Sequence, residues 1–184
     1  MNQSALLHLV PLFALLVWAA FTDLRERKIR NWLTLSLMAS GLAQSFLPLH
    51  SATPGGAALG LLAGFGITFI LFALGALGGG DVKLMAGVGA WVGPVNALVV
   101  FVIAALIGMV VVLAQAVWQG RLYALLRNSA LVAINLIHVR EVGVDHVVAT
   151  GRSARSVERP LPYAVPVLIA LAILAIQSYV IHGK

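Results

Sequence analysis

The sequence predicts an all-α, polytopic membrane protein with six transmembrane helices, the fourth of them short, and one interfacial amphipathic helix. Three observations predict it. Of 184 residues, 61% are hydrophobic and only 10% are charged, where a soluble domain carries about 25% charged residues. Mean hydropathy is +1.00, and several apolar stretches reach the roughly 20 residues that a spanning helix needs. The basic residues fall between those stretches, where positive charge is a topology signal.

Residues 4–22 carry no charge and lack a basic leading region, so they read as a retained span and not as a cleaved signal peptide. Asp23 follows directly, and Arg25, Arg27, Lys28 and Arg30 crowd the short loop after it. A second span covers 32–47 and opens on Trp32, and Pro48 and Pro54 mark the next turn. In the third span, 56–77, Gly56, Gly60 and Gly64 recur every four residues, a spacing that lets helices pack closely in lipid. Gly78-Gly79-Gly80-Asp81-Val82-Lys83 ends it. The segment 82–92 is apolar but short, Gly93-Pro94 breaks the chain, and 95–118 is a full span. Residues 119–159 form the long polar region. Within it Leu122, Leu125, Leu126, Ala133, Leu136 and Ile137 follow helical spacing, with Arg127, Asn128 and His138 off that stripe, as in an interfacial amphipathic helix. The last span, 161–181, contains Pro162 and Pro166. One domain over 1–184 is the natural count.

The loops after spans one, three and five hold all but Lys184 of the 12 Lys and Arg residues. The positive-inside rule places those loops, 119–159 included, in the cytoplasm and both termini outside. Asp23 and Asp81 then share one face of the membrane at similar depth. An ionisable residue between membrane-grade segments is expensive and marks a functional site by default. The adjoining glycines let the backbone leave helical geometry and let another chain approach closely.

Several classes are excluded. Cysteine is absent, which removes disulfides, thiolate nucleophiles and Cys-based zinc sites together. His8, His50, His138, His146 and His182 form no HExxH or close pair, so no metal site is expected. The net charge of +6 does not lie on one surface helix with interleaved aromatics, which argues against nucleic acid as a partner. No cofactor is implied.

Two carboxylates sharing a site do not both ionise easily, so the pair holds a proton between them. The charged member takes a proton from water while the neutral one donates to a scissile carbonyl or departing amine, which is general acid–base peptide hydrolysis. Read from the residues alone, other roles compete. Asp81 fits the coupling residue of a proton- or ion-driven carrier, and Asp23 fits a helix-end acid paired with Arg27 or Arg30. Lys83 can support an ionised Asp81 or snorkel to the interface. Asn31 and Tyr163 are candidates for hydrogen bonding near the site, although interfacial anchoring explains Tyr163 equally well. Glu26, Glu141 and Asp145 read as solvated surface acids.

Three stretches carry a resemblance to a known family. Asp23-Leu24-Arg25-Glu26-Arg27-Lys28-Ile29-Arg30-Asn31 resembles an aspartate motif in which a basic run leads to Ile-Pro-Asn. Gly78-Gly79-Gly80-Asp81-Val82-Lys83 resembles a GxGD motif with its Val-Lys extension. Leu161-Pro162-Tyr163-Ala164-Val165-Pro166 resembles the Pro-Tyr segment that opens the final span. In order and layout the chain is similar to the type IV prepilin peptidases, which are GxGD-type intramembrane aspartyl proteases. The resemblance implies cleavage of the short basic leader of prepilins at the cytoplasmic face of the bacterial inner membrane. Asp23 and Asp81 match the catalytic pair. Gly78, Gly79, Gly80 and Lys83 match the active-site loop, with Asn31 and Tyr163 as possible support. The implied partners are a prepilin, through its leader and N-terminal helix, and the lipid bilayer. A non-catalytic scaffold of pilus assembly is the alternative on the same resemblance. Arg30 stands where the family's proline is usual. Bifunctional members carry a long first cytoplasmic loop with a Cys tetrad and also methylate the new N-terminus. Here that loop is about eight residues and cysteine is absent, so methyl transfer is not expected. The compact form is similar to the peptidases of tight-adherence, Flp-type pilus systems.

Overall fold

A computed structural model describes residues 3–47, 52–137 and 162–182. Six helices and no strand occur among them: α1 (Gln3–Glu26), α2 (Asn31–Gln44), α3 (Pro54–Ala73), α4 (Gly79–Trp118), α5 (Leu122–Ile137) and α6 (Ala164–His182). Two of these, α3 and α4, are long and apolar enough to cross a membrane, and only 22% and 17% of their most apolar windows is buried within the chain. A buried core helix of a soluble protein would be enclosed, so their outward faces suit lipid.

Local chemistry sets the helix ends. Thr53 caps α3 by accepting from the Gly56 N–H at 3.2 Å, with Pro54 as first helical residue. Gly75 (φ 77°) ends it, with the Gly75 N–H bonded to the Phe72 carbonyl and the Ala76 N–H to that of Leu71. Gly120 (φ 65°) ends α4 with the same double bond pattern. Helix α1 stops differently. Arg27 takes a left-handed φ of 52° and donates its N–H to the Asp23 carbonyl at 3.0 Å, a conformation that costs about 1–2 kcal/mol for a residue with a Cβ.

The centre of the molecule is α4, which packs most extensively on α3 and also meets α2 and α6. The α3–α4 contact is made backbone to backbone. A Cβ at Gly60 would strike the Gly89 carbonyl, one at Gly89 would strike the Gly60 carbonyl, and one at Gly64 would strike the Met85 carbonyl. Gly56, the first member of the sequence triplet, is not part of this seam. Its nearest neighbour is Thr53 Oγ1, because it lies in the first turn and serves the cap. On the other side of α4, Leu37 of α2 fills the space left by Gly87, and Trp91 Nε1 donates to the Leu37 carbonyl at 3.1 Å. Leu12 and Leu16 of α1 and Ala164, Val167 and Leu171 of α6 complete the core.

Helix α4 is bent where Gly93-Pro94 predicts a break. Gly93 adopts φ 80° and ψ 173°, a region open essentially to glycine alone, and Pro94 has no N–H to give. Across the bend the Val92 carbonyl accepts from Asn96 Nδ2 at 3.0 Å. The half before the break begins at Gly79 and not at Val82, yet it is still only about 21 Å long at 1.5 Å per residue.

Other boundaries also differ from the sequence spacing. Asp23 lies inside α1 and not after it, so the α1–α2 connection shrinks to residues 27–30. Helix α2 is 14 residues, too short to cross unaided. The predicted amphipathic segment forms α5, where Leu122 and Leu126 remain exposed; the side chains of Ala133, Leu136 and Ile137 and all of 138–161 lie outside the described residues.

A methyl group at Gly60 falls on a carbonyl, whereas one at Gly66 meets nothing within 4 Å. Gly60→Ala should therefore lower the stability of the detergent-solubilised protein by about 1–3 kcal/mol. Gly66→Ala should raise it by up to about 1 kcal/mol. Thermal melts of the two variants check the contrast.

Candidate active site

Asp23 sits in the last turn of α1 and is 7% exposed. Its Oδ2 accepts the Ala164 N–H, the first of α6, at 3.2 Å. Asp81 occupies the first turn of α4, and its Oδ2 accepts the Gly78 N–H at 2.9 Å. Each carboxylate thus lies at the positive end of a helix and takes one of its orphan N–H groups. Two acids 58 positions apart in the sequence are near enough for the charge of Asp23 to act on Asp81. The Arg27 guanidinium acts on Asp23 in the opposite sense, as an attractive charge. Tyr163, the residue before Ala164, lies within electrostatic reach of Asp81. Its hydroxyl is buried and has no hydrogen-bond partner among the described residues.

The α1–α2 connection holds these ends together. Ile29 is buried within the basic run, and a Cβ on Gly80 would come within 3.3 Å of the Ile29 Cβ. The absent side chain of Gly80 is what lets the connection close onto α4. Alongside it, Lys83 Nζ donates to Asn31 Oδ1 at 3.0 Å, linking the starts of α4 and α2.

These contacts sort the expected residues. The glycine run is not an irregular loop. Gly78 is the helix cap and a donor to Asp81, Gly79 and Gly80 are already helical, and a Cβ would come within 3.2 Å of Asp81 Oδ2 at Gly78 and within 3.3 Å of Ile29 at Gly80. Lys83 is bonded to Asn31 and not to Asp81, so both act as a clip between helices. Arg30 forms its ion pair with Glu26 at 2.9 Å, leaving Asp23 to Ala164; that exposed pair contributes little to stability. The Ala164 N–H went unrecognised because a backbone donor has no side-chain signature. Ile29 did carry a signal, as a lone apolar residue within a charged run. Among the described residues, no three His, Cys, Asp or Glu side chains are grouped to hold a metal ion.

Two hollows occur, one beside the end of α1 and one toward the far end of α6. One of about 160 Å³ lies beside Thr22, between Trp18, Phe21, Arg25, Glu26 and Arg30. A larger one, about 400 Å³, lies on α6 between Ile173, Ile176, Gln177 and Val180 and includes neither aspartate.

Residues 10–113 match the type IV leader peptidase family, a stretch that includes both aspartates and more than half of the chain. The chain belongs to that family. Over 125 residues it is 34% identical to a prepilin leader peptidase/N-methyltransferase from Neisseria gonorrhoeae, an alignment covering 61% of this chain and 42% of that relative. The chain therefore matches well under half the length of that curated relative. No solved structure matches. The segment 162–166, which supplies Tyr163 and Ala164, lies beyond the matched region.

For this leader peptidase family member, Arg30 departs from the proline usual at its position, and the backbone explains why the departure is tolerated. Arg30 caps α2 with φ −70° and ψ 133°, values that proline itself adopts. Arg30→Pro should therefore fold normally. The rigidity gained, about 0.4–1 kcal/mol, roughly offsets the lost exposed ion pair. A thermal midpoint close to that of the parent is the expected result.

Proposed function

We propose that this protein is an aspartyl endopeptidase that removes the leader of type IV prepilins, with Asp23 and Asp81 as its catalytic pair. The observation that carries the reading is the convergence of these two carboxylates, each held by one backbone N–H at a helix N-terminus and within reach of the other's charge. In the reaction one aspartate is ionised and the other protonated. The ionised carboxylate takes a proton from water as the water oxygen bonds to the scissile carbonyl carbon. The protonated one gives its proton to the carbonyl oxygen. The resulting gem-diol returns a proton to the second aspartate while the first protonates the amide nitrogen. The C–N bond then breaks to an acid and an amine, and the pair regains its single shared proton.

Membership of the leader peptidase family supports the substrate class, since the gonococcal relative is named a prepilin leader peptidase. The charge distribution supports six spans, with the site facing the cytoplasm and both termini outside. On this reading α2 and the first half of α4 are short spans, accommodated by local thinning of the bilayer. The short connection at 27–30 and the absence of cysteine favour peptidase activity without methyl transfer. They also favour a substrate of the Flp type.

The test is direct. Purified protein in detergent is incubated with a synthetic peptide spanning a prepilin leader junction, and the products are weighed by mass spectrometry. Asp23→Asn and Asp81→Asn should each reduce cleavage by at least about 1,000-fold, the scale on which loss of a central catalytic group acts, while thermal melts show folded protein. Full processing by either variant would refute the pair.

A further inference from the structure

We propose that the Tyr163 hydroxyl is a third catalytic group, a neutral donor that binds the carbonyl oxygen of the scissile peptide. The assignment rests on the peptidase reading above.

The donors around the two carboxylates are mostly engaged. At the start of α6 the Ala164 N–H is bonded to Asp23, and the Val165 N–H to the Pro162 carbonyl. Pro166 has no N–H, and the Val167 N–H is bonded to the Tyr163 carbonyl. At the start of α4 the Gly78 N–H is bonded to Asp81, and the N–H groups of Asp81 and Val82 return to the Gly78 carbonyl. The Lys83 ammonium is bonded to Asn31. The Tyr163 hydroxyl differs from all of these. It is buried, it has no partner among the described residues, and its ring lies within electrostatic reach of Asp81.

A buried hydroxyl without a partner is unfavourable, and phenylalanine would fill the same space without that penalty. A tyrosine here therefore makes sense if its acceptor arrives with a ligand. The chemistry of the site names that acceptor. As water adds to the peptide, negative charge develops on the carbonyl oxygen close to two carboxylates, where a fixed donor in apolar surroundings acts strongly. The chain also couples the donor to the pair, because Tyr163 immediately precedes the residue whose N–H holds Asp23. One helix start thus fixes an aspartate and carries a hydroxyl within electrostatic reach of the other.

The experiment uses the full-length protein in detergent with the leader-junction peptide. Tyr163→Phe should melt at or above the temperature of the parent, since it removes an unpaired buried group. Its kcat should fall on the order of 100-fold, the effect of removing one such donor, with KM little changed. The pH profile of kcat/KM should keep its limbs where they are and simply drop at every pH. A kcat equal to that of the parent would overturn the proposal, leaving the carbonyl to other donors such as the N–H groups of Gly79 and Gly80. A lower melting temperature would overturn it too, by showing that the hydroxyl already has a structural partner. So would a displaced limb, which would mean that Tyr163 acts on the titration of the aspartates. Asp23→Asn and Asp81→Asn, assayed in parallel, separate this from the parent reading. If they still cleave, the pair itself is wrong whatever Tyr163→Phe does.

Discussion

Two carboxylates partly withdrawn from water, one within electrostatic reach of the other, repel each other and lose hydration, and the helix ends are arranged around that constraint. Neither acid is neutralised by a direct ion pair among the described residues. Each is instead given one backbone N–H, from Gly78 for Asp81 and from Ala164 for Asp23. Such donors stabilise charge without supplying a full counter-charge, which would favour the ionised form of both acids. A lysine at the site would do that, and Lys83, two residues from Asp81, is turned to Asn31 instead.

Holding the acids this way makes the positions of three helix ends interdependent. The C-terminal end of α1 must lie against the first turn of α6, and the first turn of α4 must lie beside both. Nothing in lipid drives helices together as water does, so the positions depend on close packing and a few polar ties. Gly60, Gly64 and Gly89 bring the backbones of α3 and α4 into contact, Trp91 bonds to the Leu37 carbonyl, and Ile29 packs over Gly80. The strained left-handed Arg27 sits in the same assembly. It ends α1 four residues after Asp23 and so permits the connection of residues 27–30 to fold back over α4. Strain of this kind persists only where surrounding contacts determine the conformation.

The break at Gly93 has a different role. It leaves the half of α4 that carries Asp81 short, while the Asn96 side chain bonds the Val92 carbonyl across the bend. A short helix capped by glycine places an acid in its first turn without a long polar loop. That economy is consistent with a chain in which charged residues are few.

Much of this was legible in the sequence wherever a residue type has few alternatives in a membrane. An acid between apolar segments, a Gly-Pro break, and glycines at spacing four each admit a small set of structures. They pointed to Asp23, Asp81, the bend in α4 and the Gly60–Gly64 seam. Helix ends and hydrogen-bond partners were less legible. Whether Gly79 to Asp81 forms a loop or a first turn depends on the cap that Gly78 makes with Asp81. Whether Lys83 supports Asp81 or Asn31 depends on where α2 lies. The Ala164 N–H, common to every residue except proline, became a partner of Asp23 only when α6 packed against α1. The sequence by itself determined which groups are too costly to be incidental. Tertiary structure alone decided which groups face one another, because backbone donors and helix registry leave no mark in residue type.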